Sequence, residues 1–144
     1  MSKRGYWGIV LFEPKYICNA GSLVRSARCF GASFICTVGQ RYTRTAEDTA
    51  SVFEHFPGFH FDTLAGCLAA LPKNCAVVRV EVDGNGTLGI FNHPQRVAYF
   101  FGGEDRTLPD IKGSTSVKIP TKGCLNLAVA AGCIMYDRER PPHD

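Results

Sequence analysis

The chain has 144 residues, the length of one ordinary domain, and its 45% hydrophobic and 20% charged content is that of a globular protein. A net charge of +3 is too small by itself to indicate a polyanionic partner. No apolar run approaches the roughly 20 residues of a membrane span, and the first residues lack the apolar region of a signal peptide. We therefore expect a single domain, 1–144, that is soluble and cytoplasmic.

The charge is unevenly distributed. Residues 1–45 hold seven Lys or Arg against one acid, and the other residues hold nine against twelve. A basic first third on a nearly neutral body is typical of proteins that bind a polyanion. A solvated basic face without a partner explains the charge equally well.

Seven cysteines and four histidines raise the question of a metal site. No two cysteines have C-x-x-C spacing, and the histidines match no zinc motif. Several of the cysteines lie in apolar runs, where a thiol behaves as a small hydrophobic group. We expect reduced thiols and no metal.

Short apolar runs alternate along the chain with segments of helical periodicity. Asn19 is predicted to cap the first helix, which ends near Phe30 before Gly31. A helix can start near Thr45, and Asp62 is predicted to cap another helix that Pro72 ends. A last helix is predicted from Cys124 to about Arg138. The five predicted strands are 8–13, 33–38, 75–82, 96–101 and 114–119.

This alternation predicts an α/β fold, with a mostly parallel sheet flanked by helices. The last helix, "LNLAVAAGCIMY", is apolar nearly all round and must be covered on more than one side. In a chain this small, a second subunit can supply that cover. Gly132 would allow close approach there, at the intrinsic cost of about 1 kcal/mol that glycine has in a helix.

The stretch "FFGGEDRTLP" ends a predicted strand in two glycines and an acid. Ligands of α/β sheets bind beyond the carboxyl ends of the strands, and Gly102 and Gly103 permit close backbone approach there. No P-loop is present, and no G-x-G-x-x-G follows a strand and opens a helix, so the familiar nucleotide motifs do not explain these glycines. "DGNG", residues 83–86, is read as a turn.

Two other stretches also contain residues that could contact a ligand. In "CNAGSLVRSARCFGA", Gly21, Arg25 and Arg28 share one flank of a helix and could receive a phosphate or a ribose, or be simply solvated. In "VKIPTKGCLN", a strand passes through Pro120 and Gly123 into a helix. That sequence is also consistent with a simple helix cap.

Taken in order, the three stretches resemble the motifs of the SPOUT superfamily, specifically of SpoU/TrmH-type RNA ribose 2′-O-methyltransferases. The first motif matches "NAGSLVRSARCFGA", the second "FFGGEDRTLP" and the third "VKIPTKGCLNLAVAAGCIMYD". The resemblance covers the chain from Gly8 to Asp137. The ordered set is specific, although each motif alone is not.

The resemblance implies a C-terminal deep trefoil knot, S-adenosylmethionine as cofactor, and a homodimer formed through the first and last helices. It also implies that the cofactor is bound at the knot, by residues Val80, Gly102, Gly103, Ile119, Cys124 and Leu125. For Val80, plain strand core is an alternative reading.

The resemblance further implies the catalytic residues, which are Arg25, Asn19, Glu104, Cys124 and Asn126. Arg25 is expected to hold RNA phosphate and to stabilise charge on the ribose oxygen, because a guanidinium stays protonated and is a poor base. Glu104 is expected to orient Arg25 or Asn19.

The chain resembles the short family members that act on tRNA, without a separate RNA-binding extension, and rRNA is a further possible substrate. RNA contact is then expected from the core dimer, with Tyr42 available for base stacking. The expected RNA-binding residues are Arg25, Arg28, Arg41 and Arg44, with Lys3 and Arg4 as further candidates.

Three positions depart from the family pattern: Cys124 stands where serine is usual, only "TKG" separates Pro120 from Cys124, and Thr107 replaces a common glycine. A thiol donates a weaker hydrogen bond than a hydroxyl, so activity could be reduced. A catalytically inactive RNA-binding dimer is therefore an alternative. A small-molecule α/β enzyme that resembles the family by accident is a third.

Overall fold

The computed structural model describes residues 5–13, 18–39, 57–102 and 107–141, and only the backbone of residues 18–21. The helix predicted near Thr45 lies outside these ranges. Within them, the strands are β1 Tyr6–Phe12, β2 Phe34–Val38, β3 Gly58–Phe61, β4 Ala76–Val80, β5 Gly86–Thr87, β6 Arg96–Gly102 and β7 Thr115–Lys118. The helices are α1 Cys18–Phe30, α2 Leu64–Ala70 and α3 Leu127–Glu139.

The seven strands form one sheet in the order β3-β2-β1-β6-β4-β7-β5. Every ladder between these strands is parallel; Val10, for example, lies opposite Cys36 on one side and Phe100 on the other. The prediction of a mostly parallel sheet flanked by helices is confirmed. All the carboxyl ends of the strands consequently meet at one edge, where α/β proteins bind ligands.

The core has two parts, one on each face of the sheet. On one face α1 and α3 pack together, and Leu23, Ala27, Ile134 and Met135 are buried against the strands. On the other face Cys67 of α2 packs into a smaller cluster. Burial of each large apolar side chain stabilises the fold by roughly 1.5–3 kcal/mol, which explains why the central strands are apolar on both faces.

The first helix starts two residues earlier than the prediction of a cap at Asn19 implies. It begins at Cys18, so Asn19 lies in the first turn and not at the cap position. Its end is as predicted: Gly31 has φ +89°, and the amides of Gly31 and Ala32 donate to the carbonyls of Arg28 and Ala27. This pair of bonds is the Schellman motif, in which glycine accommodates the positive φ.

The predicted starts of the other two helices were wrong. Thr63, not Asp62, caps α2, because its hydroxyl accepts from the amide of Gly66 at 3.1 Å. The last helix begins at Leu127 instead of Cys124, since the Asn126 side chain accepts from the amide of Ala128 at 2.9 Å. A side-chain oxygen at the cap satisfies amides that have no partner within the helix.

Strands β3 and β5 were not predicted. Strand β5 has only two residues, and it is a strand solely because it pairs with Val117 and Lys118 of β7. Strand β3 is a four-residue edge strand whose middle residues are exposed. Apolar patterning cannot indicate segments this short, because their stability comes from a partner distant in sequence. The turn predicted at 83–86 lies two residues earlier, since the amide of Gly84 donates to the carbonyl of Glu81, and Gly86 already belongs to β5.

The end of α3 is held at the amino edge of the sheet by buried polar groups. Arg138 has only 1% of its surface exposed and donates to the carbonyls of Pro94 and Gln95, at 2.6 and 2.9 Å, and to the Tyr99 hydroxyl at 3.2 Å. Pro94 and Gln95 immediately precede β6. Helix α3 therefore spans the sheet from its carboxyl edge to its amino edge.

None of the helices in the described ranges is long and apolar enough to cross a membrane. Nor do these ranges contain a group of three or more His, Cys, Asp or Glu side chains that could hold a metal ion.

Candidate active site

A pocket of about 570 Å³ lies at the carboxyl edge of the sheet. Val80 ends β4, Gly102 ends β6, and Ile119 follows β7 directly, and all three residues line the pocket. The loop before α3 and the first turn of that helix complete the wall, the helix contributing Leu127 and Ala130. The volume is within the usual range of pockets that bind small molecules or cofactors.

The sequence-predicted cofactor residues come together here. Five of the six that were predicted, Val80, Gly102, Ile119, Cys124 and Leu125, line this one pocket. They come from three parts of the chain, and the parallel order β6-β4-β7 makes those parts neighbours. The sixth, Gly103, lies outside the described residues.

The loop before α3 is shaped by local hydrogen bonds. The Thr121 hydroxyl donates to the carbonyl of Gly123 at 2.7 Å, and the chain then turns toward the cap at Asn126. This turn brings Gly123, Cys124 and Leu125 to the pocket wall. Cys124 is a free, exposed thiol, so its sulfur is accessible from solvent.

Asn126 has a clear structural role. Its side-chain oxygen accepts from the amides of Ala128 and Val129, at 2.9 and 3.4 Å. The helix cap that the sequence left open as an alternative is therefore present. Asn126 does not itself line the pocket, and its catalytic role stays a prediction.

Sequence reasoning missed the acidic part of the wall. Glu81 follows β4 directly, Asp83 lies two residues further along the chain, and both line the pocket. The Arg79 guanidinium donates from Nη1 to Glu81 Oε2 at 2.6 Å. The signal in the sequence was Asp83, which directly follows the predicted strand 75–82 at the edge where ligands bind. Glu81 was missed because the prediction placed it inside that strand, which in the structure ends at Val80.

The predicted basic residues of the first helix lie apart from the pocket wall. Arg25 and Arg28 are both exposed on α1, and neither lines the pocket of this chain. Their spacing places them on one flank beside the buried stripe of Leu23, Val24 and Ala27. Two guanidinium groups are therefore open to solvent on one helix.

The other predicted site residues cannot be placed. Asn19 belongs to α1, but its side chain is outside the description, and Glu104, Arg41 and Arg44 lie outside the described residues altogether. The further RNA-binding candidates Lys3, Arg4 and Tyr42 are outside it as well. Their roles stay predictions.

A parallel α/β sheet with a pocket at its carboxyl edge defines a class of ligand-binding α/β domains. Within that class, the chain belongs to the SpoU rRNA methylase family, whose model matches residues 7–136. The family resemblance inferred from the three motifs is thereby confirmed. No curated protein matches the chain.

Solved structures of this family share the fold. The structure described as "Structural insights into the 2-OH methylation of C/U34 on tRNA" is 26% identical, with a TM-score of 0.79 over 93% of this chain and 94% of that one. The SpoU methyltransferase AviRb from Streptomyces viridochromogenes, in complex with AdoMet, is 20% identical with a TM-score of 0.77. The AdoMet-bound rRNA methyltransferase from Sinorhizobium meliloti is 24% identical with a TM-score of 0.75.

These relatives differ in length. The alignment covers 94% of this chain but only 60% of AviRb, and 95% of this chain but 57% of the Sinorhizobium protein. The chain thus spans less than two thirds of those two proteins, and nearly all of the first.

Proposed function

We propose that the protein transfers a methyl group from S-adenosylmethionine to a ribose 2′-hydroxyl of RNA, and that this RNA is tRNA. The observation that carries the proposal is the pocket, in which residues of the second and third motifs meet at the carboxyl edge of a SpoU-family sheet. The tRNA target is supported by the structural relative of similar length, which is described as acting on tRNA.

The pocket fits S-adenosylmethionine. Its volume of about 570 Å³ suits a nucleoside-sized ligand, and Ile119, Leu125 and Leu127 offer apolar surface to a base. Gly102 lets the backbone approach the ligand closely. When bound, this cofactor supplies a methyl group on a positively charged sulfur. Val80 and Cys124 would form further parts of its wall.

Arg25 is the residue that we assign to the RNA. A guanidinium remains protonated, so Arg25 would hold a phosphate and stabilise negative charge on the ribose oxygen instead of acting as a base. The exposure of Arg25 on α1 supports contact with a large substrate. In this proposal Glu104 orients Arg25 or Asn19, while Arg28, Arg41 and Arg44 bind the RNA backbone.

The proposal includes a homodimer and a knotted C-terminal segment. An apolar stripe on α3 that is exposed in the single chain supports the dimer; Val129 and Tyr136 are 53% and 62% exposed there. The knot is supported by the strand order, because β7 inserts between β4 and β5 before the chain passes the pocket into α3.

The test is transfer of labelled methyl from S-adenosylmethionine to bulk tRNA, followed by mass spectrometry of the nucleosides. We expect a ribose-methylated nucleoside with the wild-type protein and none with Arg25→Ala. Label on a base instead of ribose would contradict the proposed reaction. Cofactor binding with no transfer to tRNA would indicate a different RNA substrate, whereas RNA binding without cofactor binding would favour the inactive RNA-binding protein.

RNA binding through basic residues has its own signature. Each phosphate contact releases counterions, so the affinity for RNA should fall steeply as salt is raised from about 50 to 200 mM. A dissociation constant that does not change over this range would contradict the basic surface.

A further inference from the structure

We infer that Glu81 is a binding residue that accepts hydrogen bonds from the vicinal hydroxyls of the cofactor's ribose. This inference rests on the proposed function and extends it to a residue that no motif includes. Glu81 follows the end of β4 directly and lines the pocket, and its amide donates to the carbonyl of Val117 at 3.0 Å. Its backbone is therefore held between β4 and β7.

The side chain of Glu81 is held in place by a chain of hydrogen bonds. Arg79 Nη1 donates to Glu81 Oε2 at 2.6 Å, and Arg79 Nε donates to the Ser114 hydroxyl at 2.8 Å. That hydroxyl in turn donates to the carbonyl of Ile111 at 2.6 Å. Glu81 and Arg79 are each less than one fifth exposed. An acceptor fixed in this way loses little conformational entropy when a ligand binds.

The ion pair determines which ligand group suits Glu81. The positive charge of Arg79 already compensates the carboxylate, so a second cation would gain little there. A carboxylate has about four lone-pair sites, and the bond from Arg79 occupies one of them. The remaining capacity suits neutral donors, and two adjacent hydroxyls match two carboxylate oxygens. In other α/β nucleotide-binding folds, an acid near a strand end likewise accepts from ribose hydroxyls.

Asp83 is the obvious competitor for this role. It also lines the pocket, but it is exposed, whereas Glu81 is partly buried and paired. Exposed carboxylates are hydrated, and a hydrogen bond exchanged with water contributes less to binding. Glu81 is therefore the better-organised acceptor of the two.

The experiment is calorimetric binding of S-adenosylhomocysteine and of its 2′-deoxy and 3′-deoxy analogues. With the wild-type protein, we expect loss of a hydroxyl to lower affinity about tenfold or more, as for hydrogen bonds to a charged acceptor. Glu81→Gln and Glu81→Ala should weaken binding of the parent compound by a similar factor. Glu81→Ala should then bind the parent and the deoxy analogues almost equally, because the acceptor has been removed, whereas Glu81→Gln keeps one neutral carbonyl acceptor and should retain part of the discrimination.

Two controls make the result specific. Asp83→Asn should keep the wild-type ratio between parent and deoxy analogues, and so should Asp110→Asn, an exposed acid outside the pocket. Arg79→Lys should reduce the ratio, because an ammonium cannot reproduce the guanidinium's two bonds to Glu81 and Ser114. A general loss of stability would weaken all ligands alike and would leave the ratio unchanged.

The outcomes separate this inference from the proposed function. If S-adenosylhomocysteine binds and Glu81→Gln and Glu81→Ala, both folded by circular dichroism, retain the full discrimination, the role of Glu81 is overturned and the proposed cofactor stands. If the wild-type protein binds neither S-adenosylhomocysteine nor S-adenosylmethionine, the cofactor proposal and this inference are both overturned.

Discussion

His93 Nε2 lies 2.7 Å from Asp137 Oδ2, so the segment before β6 is joined directly to the last helix. His93 Nδ1 is also 2.7 Å from the Tyr99 hydroxyl, and Arg140 Nε donates to the other oxygen of Asp137 at 3.0 Å. Burial raises the pKa of Tyr99 to about 12, which keeps its hydroxyl protonated at neutral pH. These groups hold the far end of the helix whose first turn lines the pocket.

Asp137 should make stability depend on acid. Burial raises the pKa of its carboxyl, but hydrogen bonds from His93 and Arg140 and their charges together lower it below its ordinary value. The folded chain then binds this proton less readily than the unfolded chain, so stability is present above the unfolded pKa, near 4, and is lost as the pH falls through the lower folded pKa. Urea unfolding between pH 3 and 7 should show this loss.

The variant Asp137→Asn tests the assignment. It should lower the free energy of unfolding at pH 7 and flatten the dependence below about pH 5, because the titrating group is gone. Asp110→Asn removes an exposed carboxylate and should leave both quantities nearly unchanged. An acid dependence of Asp137→Asn as steep as that of the wild type would contradict the assignment.

Arg138 should be among the most sensitive positions of the fold. Arg138→Met would leave the carbonyls of Pro94 and Gln95 and the Tyr99 hydroxyl without this donor, at a cost of roughly 3 kcal/mol in the free energy of unfolding. Arg138→Lys should not restore the lost stability, since one ammonium cannot reproduce the hydrogen bonds of the planar guanidinium. Chemical denaturation at constant protein concentration measures both.

A comparison makes the Arg138 prediction decisive. Lys112→Met also removes a cation but at an exposed position, and should change stability by no more than about 0.5 kcal/mol. An Arg138→Met variant no less stable than Lys112→Met would show that the buried hydrogen bonds contribute nothing net.

The exposed stripe of α3 should be a subunit interface. Val129, Gly132 and Tyr136 follow one another at helical spacing, and an added side chain at Gly132 would meet nothing within 4 Å in the single chain. Val129→Asp should convert the dimer to a monomer, because a carboxylate buried in an interface lacks hydration. Light scattering after size-exclusion chromatography measures the mass.

Phe59→Asp is the matched control for the interface. Phe59 of β3 is 52% exposed and lies opposite Cys36, on the face of the sheet away from α3. The same substitution there should leave the dimer intact. A wild-type protein that is monomeric at micromolar concentration would contradict the proposed dimer outright.

Arg25 and Arg28 should differ in their effect on catalysis. Both are exposed on α1, and replacement by lysine keeps the charge of each. Arg25→Lys should lower turnover at least tenfold with nearly normal RNA affinity, because the planar fork positions the reacting ribose. Arg28→Lys should change turnover less than threefold. Near-full turnover by Arg25→Lys, with normal RNA binding, would remove Arg25 from the catalytic role.

Much of the fold could be predicted from local patterns. Apolar runs such as 96–101 located the long strands, because a strand buried on both faces must be apolar throughout. Gly31 indicated the end of the first helix, because glycine readily adopts the positive φ that this position has in the structure. Five residues that were predicted to bind the cofactor line one pocket, and the ordered motifs, not the periodicity, indicated them.

Other features could not be read from the sequence. Thr63 and Asp62 are both good caps, and only the position of the backbone decides which hydroxyl or carboxylate reaches the free amide. The sequence placed Glu81 within a predicted strand, and its place in the fold became clear only because β7 lies beside β4. The buried network at Arg138 joins residues that are 39 or more positions apart, which no local pattern indicates.

By itself, the sequence determined the fold class, the long elements and the family, because burial and turn chemistry act over a few residues and the motifs occur in order. Only the tertiary structure decided that β7 lies between β4 and β5, that Glu81 joins the pocket wall held by Arg79, and that Arg138 is buried. The physical reason is the same in each case. These contacts join segments far apart along the chain, and their energies exist only once the sheet has brought those segments together.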